Sequence, residues 1–85
     1  MLVDVTQVST INPHTLKVTF EDGTSGIVKF EASFFRGVFQ PLLNSEEFAK
    51  ATVSDGAVTW PNNLDLAPDQ MYDQIKNNQG LYVLS

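Results

Sequence analysis

The chain has no cysteine, one histidine and only five basic residues among 85. Without thiols, neither a disulfide framework nor a thiolate metal site is available. The five cations, Lys17, Lys29, Arg36, Lys50 and Lys76, are scattered, and ten carboxylates leave a net charge of −5. Such a field repels phosphate backbones, so direct nucleic-acid binding is not expected. No apolar run approaches the roughly 18 residues of a membrane span. No basic stretch followed by an apolar run marks a signal peptide. A soluble, cytoplasmic protein without membrane association is the expectation.

What is present is globular in character: 42 % hydrophobic and 18 % charged. The length suits a single domain, 1–85, which buries only about 60–65 % of the surface its unfolded chain exposes. Ordering the chain consumes most of that gain, so the stability margin is expected to be narrow. A second chain, whether a copy or another protein, would enlarge the core.

Val3 and Val5 alternate with polar neighbours, then the apolar phase shifts to Val8, which calls for a strand bulged near Thr6-Gln7. Asn12-Pro13 marks a turn. Leu16, Val18 and Phe20 alternate cleanly, and Val28 and Phe30 stand in phase after Gly26. A two-residue Asp22-Gly23 turn would pair Leu16 with Lys29 and split the apolar faces. A three-residue loop with Gly23 in a left-handed bulge pairs Leu16 with Val28 and keeps them together.

Ala32 to Gly37 reads as a short helical turn with one ring of Phe34-Phe35 pointing inward. Asn44 can cap a second short helix, with Glu47 at its third position and Leu43 stapled to Phe48. Thr52 to Ser54 and Ala57 to Trp60 read as a hairpin turned at Asp55-Gly56. The stretch Trp60-Pro61-Asn62-Asn63-Leu64-Asp65-Leu66-Ala67-Pro68-Asp69 carries the densest local instruction. The residue before a proline is pushed into extended geometry, asparagines tolerate left-handed backbone, and Pro68 suits the first position of a helix. That helix should run from about Pro68 to Asn78, bury Met71, Tyr72 and Ile75, and stop at Gly80. Leu81 to Leu84 is a final strand or a contact surface. The expected class is α+β: a small antiparallel sheet of about five strands, short middle helices, and a C-terminal helix packed on the sheet.

Catalytic chemistry finds little support. His14 has no carboxylate nearby in sequence to orient it and reads as an exposed turn residue. Asp65, Asp69 and Asp73 recur every fourth residue, but Asp65 precedes Pro68 and Asp69 suits the positive end of the helix dipole. Gly23, Ser25 and Gly26 lead into a strand without an adjacent Lys-Ser or Lys-Thr, so they form no phosphate cradle. No catalytic residue, cofactor or metal site is expected. Trp60 fits a sheet–helix core, or an anchor in an interaction surface that Asp65, Tyr72 and Tyr82 would share.

Leu16-Lys17-Val18-Thr19-Phe20-Glu21-Asp22-Gly23, Gly37-Val38-Phe39 with Leu42 and Phe48, and the segment from Trp60 to Asp69 resemble a family of small bacterial domains of unknown function. Its pattern is an F-x-D-G hairpin, a middle G-x-F-x-x-L segment and a late W-P-N-G-x-D-(L/I)-x-P segment; Asn63 stands here where glycine is usual. The resemblance implies a compact α+β domain and brings no catalytic residues. It also implies relatives fused to helix-turn-helix segments, or encoded beside a second small gene as in toxin–antitoxin pairs. The expected role is therefore that of a small acidic protein–protein interaction module, paired with another protein or with itself as a homodimer. An accessory to a helix-turn-helix regulator and a small metal- or ligand-binding enzyme are the alternatives.

Overall fold

The computed structural model describes residues 3–12, 14–61 and 63–85. Pro13 and Asn62, both expected in turns, lie outside the described residues. In chain order the elements are β1 (Val5–Asn12), β2 (Thr15–Phe20), β3 (Ser25–Phe30), two 3₁₀ segments (Ala32–Phe34 and Gly37–Leu43), α1 (Ser45–Phe48), β4 (Thr52–Ser54), β5 (Ala57–Thr59), β6 (Asp65–Leu66), α2 (Pro68–Asn77) and β7 (Leu81–Leu84). The class is α+β with a C-terminal helix, as the pattern implies. The strands differ in arrangement: among the described residues they number seven, in a four-stranded sheet β1-β2-β3-β7 and a three-stranded sheet β4-β5-β6. Within the larger sheet β7 runs parallel to β3, because α2 carries the chain back across the sheet before β7 begins.

Local chemistry explains the register. Val5 pairs with Phe20 and Gln7 with Thr19, so the bulge falls at Thr6. Leu16 pairs with Val28, Gly23 adopts φ +89°, and the Phe20 amide donates to the Thr24 carbonyl at 2.7 Å. This is the three-residue loop that parity requires. The β4–β5 hairpin turns at Asp55 and Gly56, both with positive φ, as a two-residue mirror-type turn needs. The Asn44 side chain accepts from the amides of Glu46 and Glu47 at 2.9 and 3.2 Å and so caps α1. Leu43, expected to staple against Phe48, keeps 46 % of its surface exposed.

The Trp60–Asp69 stretch turns out to build a hairpin before it builds a helix. The Trp60 amide donates to the Leu64 carbonyl, Asn63 sits at φ 68°, and Thr59 pairs with Asp65. Asp65 therefore belongs to β6 and caps nothing; Ala67 precedes α2 and Pro68 opens it. At the other end Gln79 and Gly80 are both left-handed, and the Gly80 amide donates to the Ile75 carbonyl at 2.8 Å.

The core lies on one face of the larger sheet. Leu16, Val18, Phe20, Val28 and Phe30 point inward and meet Phe35, Leu42, Phe48, Val58, Trp60, Met71 and Ile75. Each such side chain contributes about 1.5–3 kcal/mol by leaving water. Gly26 lets α2 approach: a Cβ there would stand 2.6 Å from Ile75 Cγ2 and 2.9 Å from the Gly80 carbonyl oxygen.

Candidate functional site

The residues singled out in the sequence do not converge. Trp60 is 3 % exposed, and its indole N–H donates to the Phe48 carbonyl at 2.9 Å. It is a core residue, stabilised like other buried indoles by satisfying its one donor. Tyr72 packs edge-on against Phe20 and donates its hydroxyl to Asp22 at 2.6 Å. The Thr24 amide gives the same carboxylate a second donor at 2.9 Å, so α2 is tied to the β2–β3 turn. These bonds favour the ionised carboxylate: the Tyr72 hydroxyl first, then the Thr24 amide, holds the Asp22 pKa below its ordinary value. Accepting that same bond, Asp22 raises the Tyr72 pKa. Tyr82 is half-buried beside Val28, and burial raises its pKa.

His14 is half-buried, contrary to the expectation of an exposed turn residue. Its ring lies between Phe35 and Phe48, at 4.9 and 5.3 Å between centroids, and its Nε2 is 3.0 Å from the Leu43 carbonyl. A carbonyl only accepts, so Nε2 donates in this bond. The imidazole thus anchors the second 3₁₀ segment to the end of the sheet.

A cleft of about 410 Å³ opens beside the smaller sheet, lined by Ser54, Asp55, Ala57, Thr59, Trp60, Asn63, Leu64 and Asp65. It brings Asp65 and Trp60 together but not His14. Among the described residues its lining carries two carboxylates and two hydroxyls and no imidazole, ammonium or guanidinium group. Among the described residues no group of three or more His, Cys, Asp or Glu side chains is placed to hold a metal ion.

The outer face of the larger sheet has a different character. Strand alternation sends every second side chain away from the core, and the register sets these into two cross-strand rows. One row runs Ser9, Lys17, Ile27, Leu81; the next runs Thr15, Lys29, Val83. Leu81 and Val83 are 42 % and 43 % exposed. The four strands contain none of the chain's ten carboxylates and two of its five cations. Among the described residues the one ion pair joins Lys50 to Glu47, so Lys17 and Lys29 stand without a counter-charge.

The edge formed by β7 is also open. Ile27 donates to the Gly80 carbonyl and Glu31 to the Leu84 carbonyl, both at 2.8 Å. In a parallel ladder this leaves Val83 directing its N–H and C=O away from β3. Parallel strands normally have both faces covered, and β3–β7 has only one. The sequence held the signal for this surface in Ile27, Leu81 and Val83. It became readable only once β7 was known to lie beside β3.

Comparison with curated proteins and with solved structures gives no match. A family profile does match, over residues 5–77, and that span includes the β2–β3 hairpin, the Gly37–Leu43 segment and the Trp60–Asp69 stretch. The chain accordingly belongs to the family described as "Protein of unknown function (DUF2442)".

Proposed function

We propose that this protein is a protein–protein interaction module that docks its partner on the outer face of the four-stranded sheet. The observation that carries the reading is the composition of that face. Ile27, Leu81 and Val83 form an apolar strip beside two uncompensated lysines, on a sheet free of carboxylates in a chain of net charge −5. Isolated exposed apolar residues such as Val38 are ordinary, whereas neighbouring ones rimmed by charge characterise docking surfaces. A small domain also gains from a partner that covers a sheet otherwise protected on one side.

The resemblance to domains encoded beside a second small gene supports a small protein as that partner, in an antitoxin-like pairing. A partner bearing a helix-turn-helix segment would instead make this chain an accessory to a transcriptional regulator. The test is affinity isolation from the native host, followed by reconstitution and amide-shift mapping of the complex. One stoichiometric protein partner is expected, shifting resonances of β2, β3 and β7. A Leu81→Asp/Val83→Asp variant should fold and lose that partner. A partner that maps to the Asp55–Asp65 cleft, or no partner at all, would overturn the reading.

A further inference from the structure

Resting on that docking reading, we infer that the occupant of the outer sheet face is an acidic amphipathic helix supplied by another protein. Three observations set its chemistry. The first is geometric. Leu81 and Val83 are two residues apart on one strand, about 6.7 Å, and a helix repeats its contacts at i and i+4 after about 6 Å. A helix laid along β3 and β7 therefore places successive apolar side chains over Ile27, Leu81 and Val83. It would cover the parallel pair from outside as α2 does from inside, the layering such strands usually have.

The second observation is electrostatic. Lys17 is paired with Ile27 and Lys29 with Thr15, so both ammonium groups emerge beside the apolar strip; the four strands carry no carboxylate, and Glu21 and Glu31 follow just beyond the ends of β2 and β3. Carboxylates flanking the helix's apolar stripe complete these charges; a basic helix would set like charges against them. Two lysines offer only about two phosphate contacts, against a protein field that repels a polyanion.

The third observation excludes a second copy as the occupant. The apolar residues of α2, Met71 and Ile75, are already buried, and α1 has only four residues. The chain thus has no spare helix to lend its copy. Face-to-face pairing would gather four lysines, two from each copy, in one interface whose strands supply no carboxylate. Edge pairing of two four-residue β7 strands falls well short of the roughly 800 Å² per partner of a standard interface.

The experiment uses the full chain and two synthetic peptides of about 18 residues, both with leucines at i, i+4 and i+7. One carries glutamates beside the leucines and the other carries lysines. The glutamate peptide is expected to bind with amide shifts confined to Lys17, Ile27, Lys29, Leu81, Val83 and their strand neighbours. It should bind at least about tenfold more tightly than the lysine peptide, and less tightly as salt rises. A Lys17→Glu/Lys29→Glu variant, altered only at exposed positions, should reverse the preference. Binding of the lysine peptide to the same face with equal or greater affinity would sink the acidic-helix inference and leave the docking face standing. Binding of neither peptide, or a dimer whose interface maps to this face in light scattering and amide shifts, would likewise overturn it. Shifts at the Asp55–Asp65 cleft would overturn the inference and the docking reading together.

Discussion

The two faces of the four-stranded sheet are made by the same strands and obey the same alternation, yet their chemistry is opposite in kind. Inward, Leu16, Val18, Phe20, Val28 and Phe30 leave almost nothing to solvent. Outward, the corresponding positions hold Lys17, Ile27 and Lys29 on the inner strands and Leu81 and Val83 on β7. An antiparallel sheet with one wet face usually shows only polar residues there. Here Ile27, Leu81 and Val83 stand together at the parallel end of the sheet, while Ile11 is exposed singly on β1 at the opposite edge. The inner face accounts for folding; the outer apolar strip has no such explanation within the chain.

The comparison can be broken most severely from the inside. Phe48 is fully buried and touches Phe30, Phe35 and Trp60, so Phe48→Ala should cost about 3–5 kcal/mol in chemical denaturation. Next comes Gly26→Ala, which forces a methyl group onto Ile75 and the Gly80 carbonyl. A loss of about 1–3 kcal/mol is expected, with amide shifts spreading along α2.

A pH-dependent effect should follow from Tyr72. Since the Asp22 pKa is depressed in the folded state, its contribution is present above the ordinary carboxylate range and is lost as pH falls through the folded value. Tyr72→Phe removes the leading cause, so Asp22 should titrate closer to its ordinary pKa in a carboxyl-carbon NMR titration. Acid unfolding of the variant should lose that part of its slope. An unchanged Asp22 titration would show that the remaining partners, the Thr24 amide first, hold the carboxylate.

The smallest stability effect belongs to the outer face. Leu81→Thr and Val83→Thr keep β-branched or uncharged side chains at exposed positions and should each change stability by only about 0.5 kcal/mol. Thermal unfolding would check this. A loss comparable to Gly26→Ala would mean that the outward residues serve the fold, and the contrast between the faces would collapse.

Features decided by neighbours in sequence were legible from the chain alone. The bulge at Thr6, the Gly23 loop, the Asn44 cap, the Asp55-Gly56 turn and Pro68 at the start of α2 each follow from backbone preferences within a few residues. The missed features depend on partners far along the chain. His14 finds the Leu43 carbonyl 29 residues away, and β7 finds β3 only after α2 has turned the chain. β6 is two residues long, too short for any alternation to announce it. Asp65 lies outside the helix as its place before Pro68 implies, but a two-residue strand occupies the stretch that read only as a turn into that helix. The proposed docking face was legible only in part: Leu81 to Leu84 stood out as a strand or contact surface, but Ile27 comes from β3, which nothing in the local pattern joins to β7.

The single indole of this chain has a practical consequence. Trp60 is packed among Phe30, Phe48 and the backbone oxygen it binds, with only 3 % of its surface exposed, on the side of the sheet away from Leu81 and Val83. Its fluorescence should be that of a dry chromophore and should shift to the red in one step when the chain melts. A molecule settling on the outer strands would leave the emission unchanged, so one spectrum would follow unfolding without interference from docking.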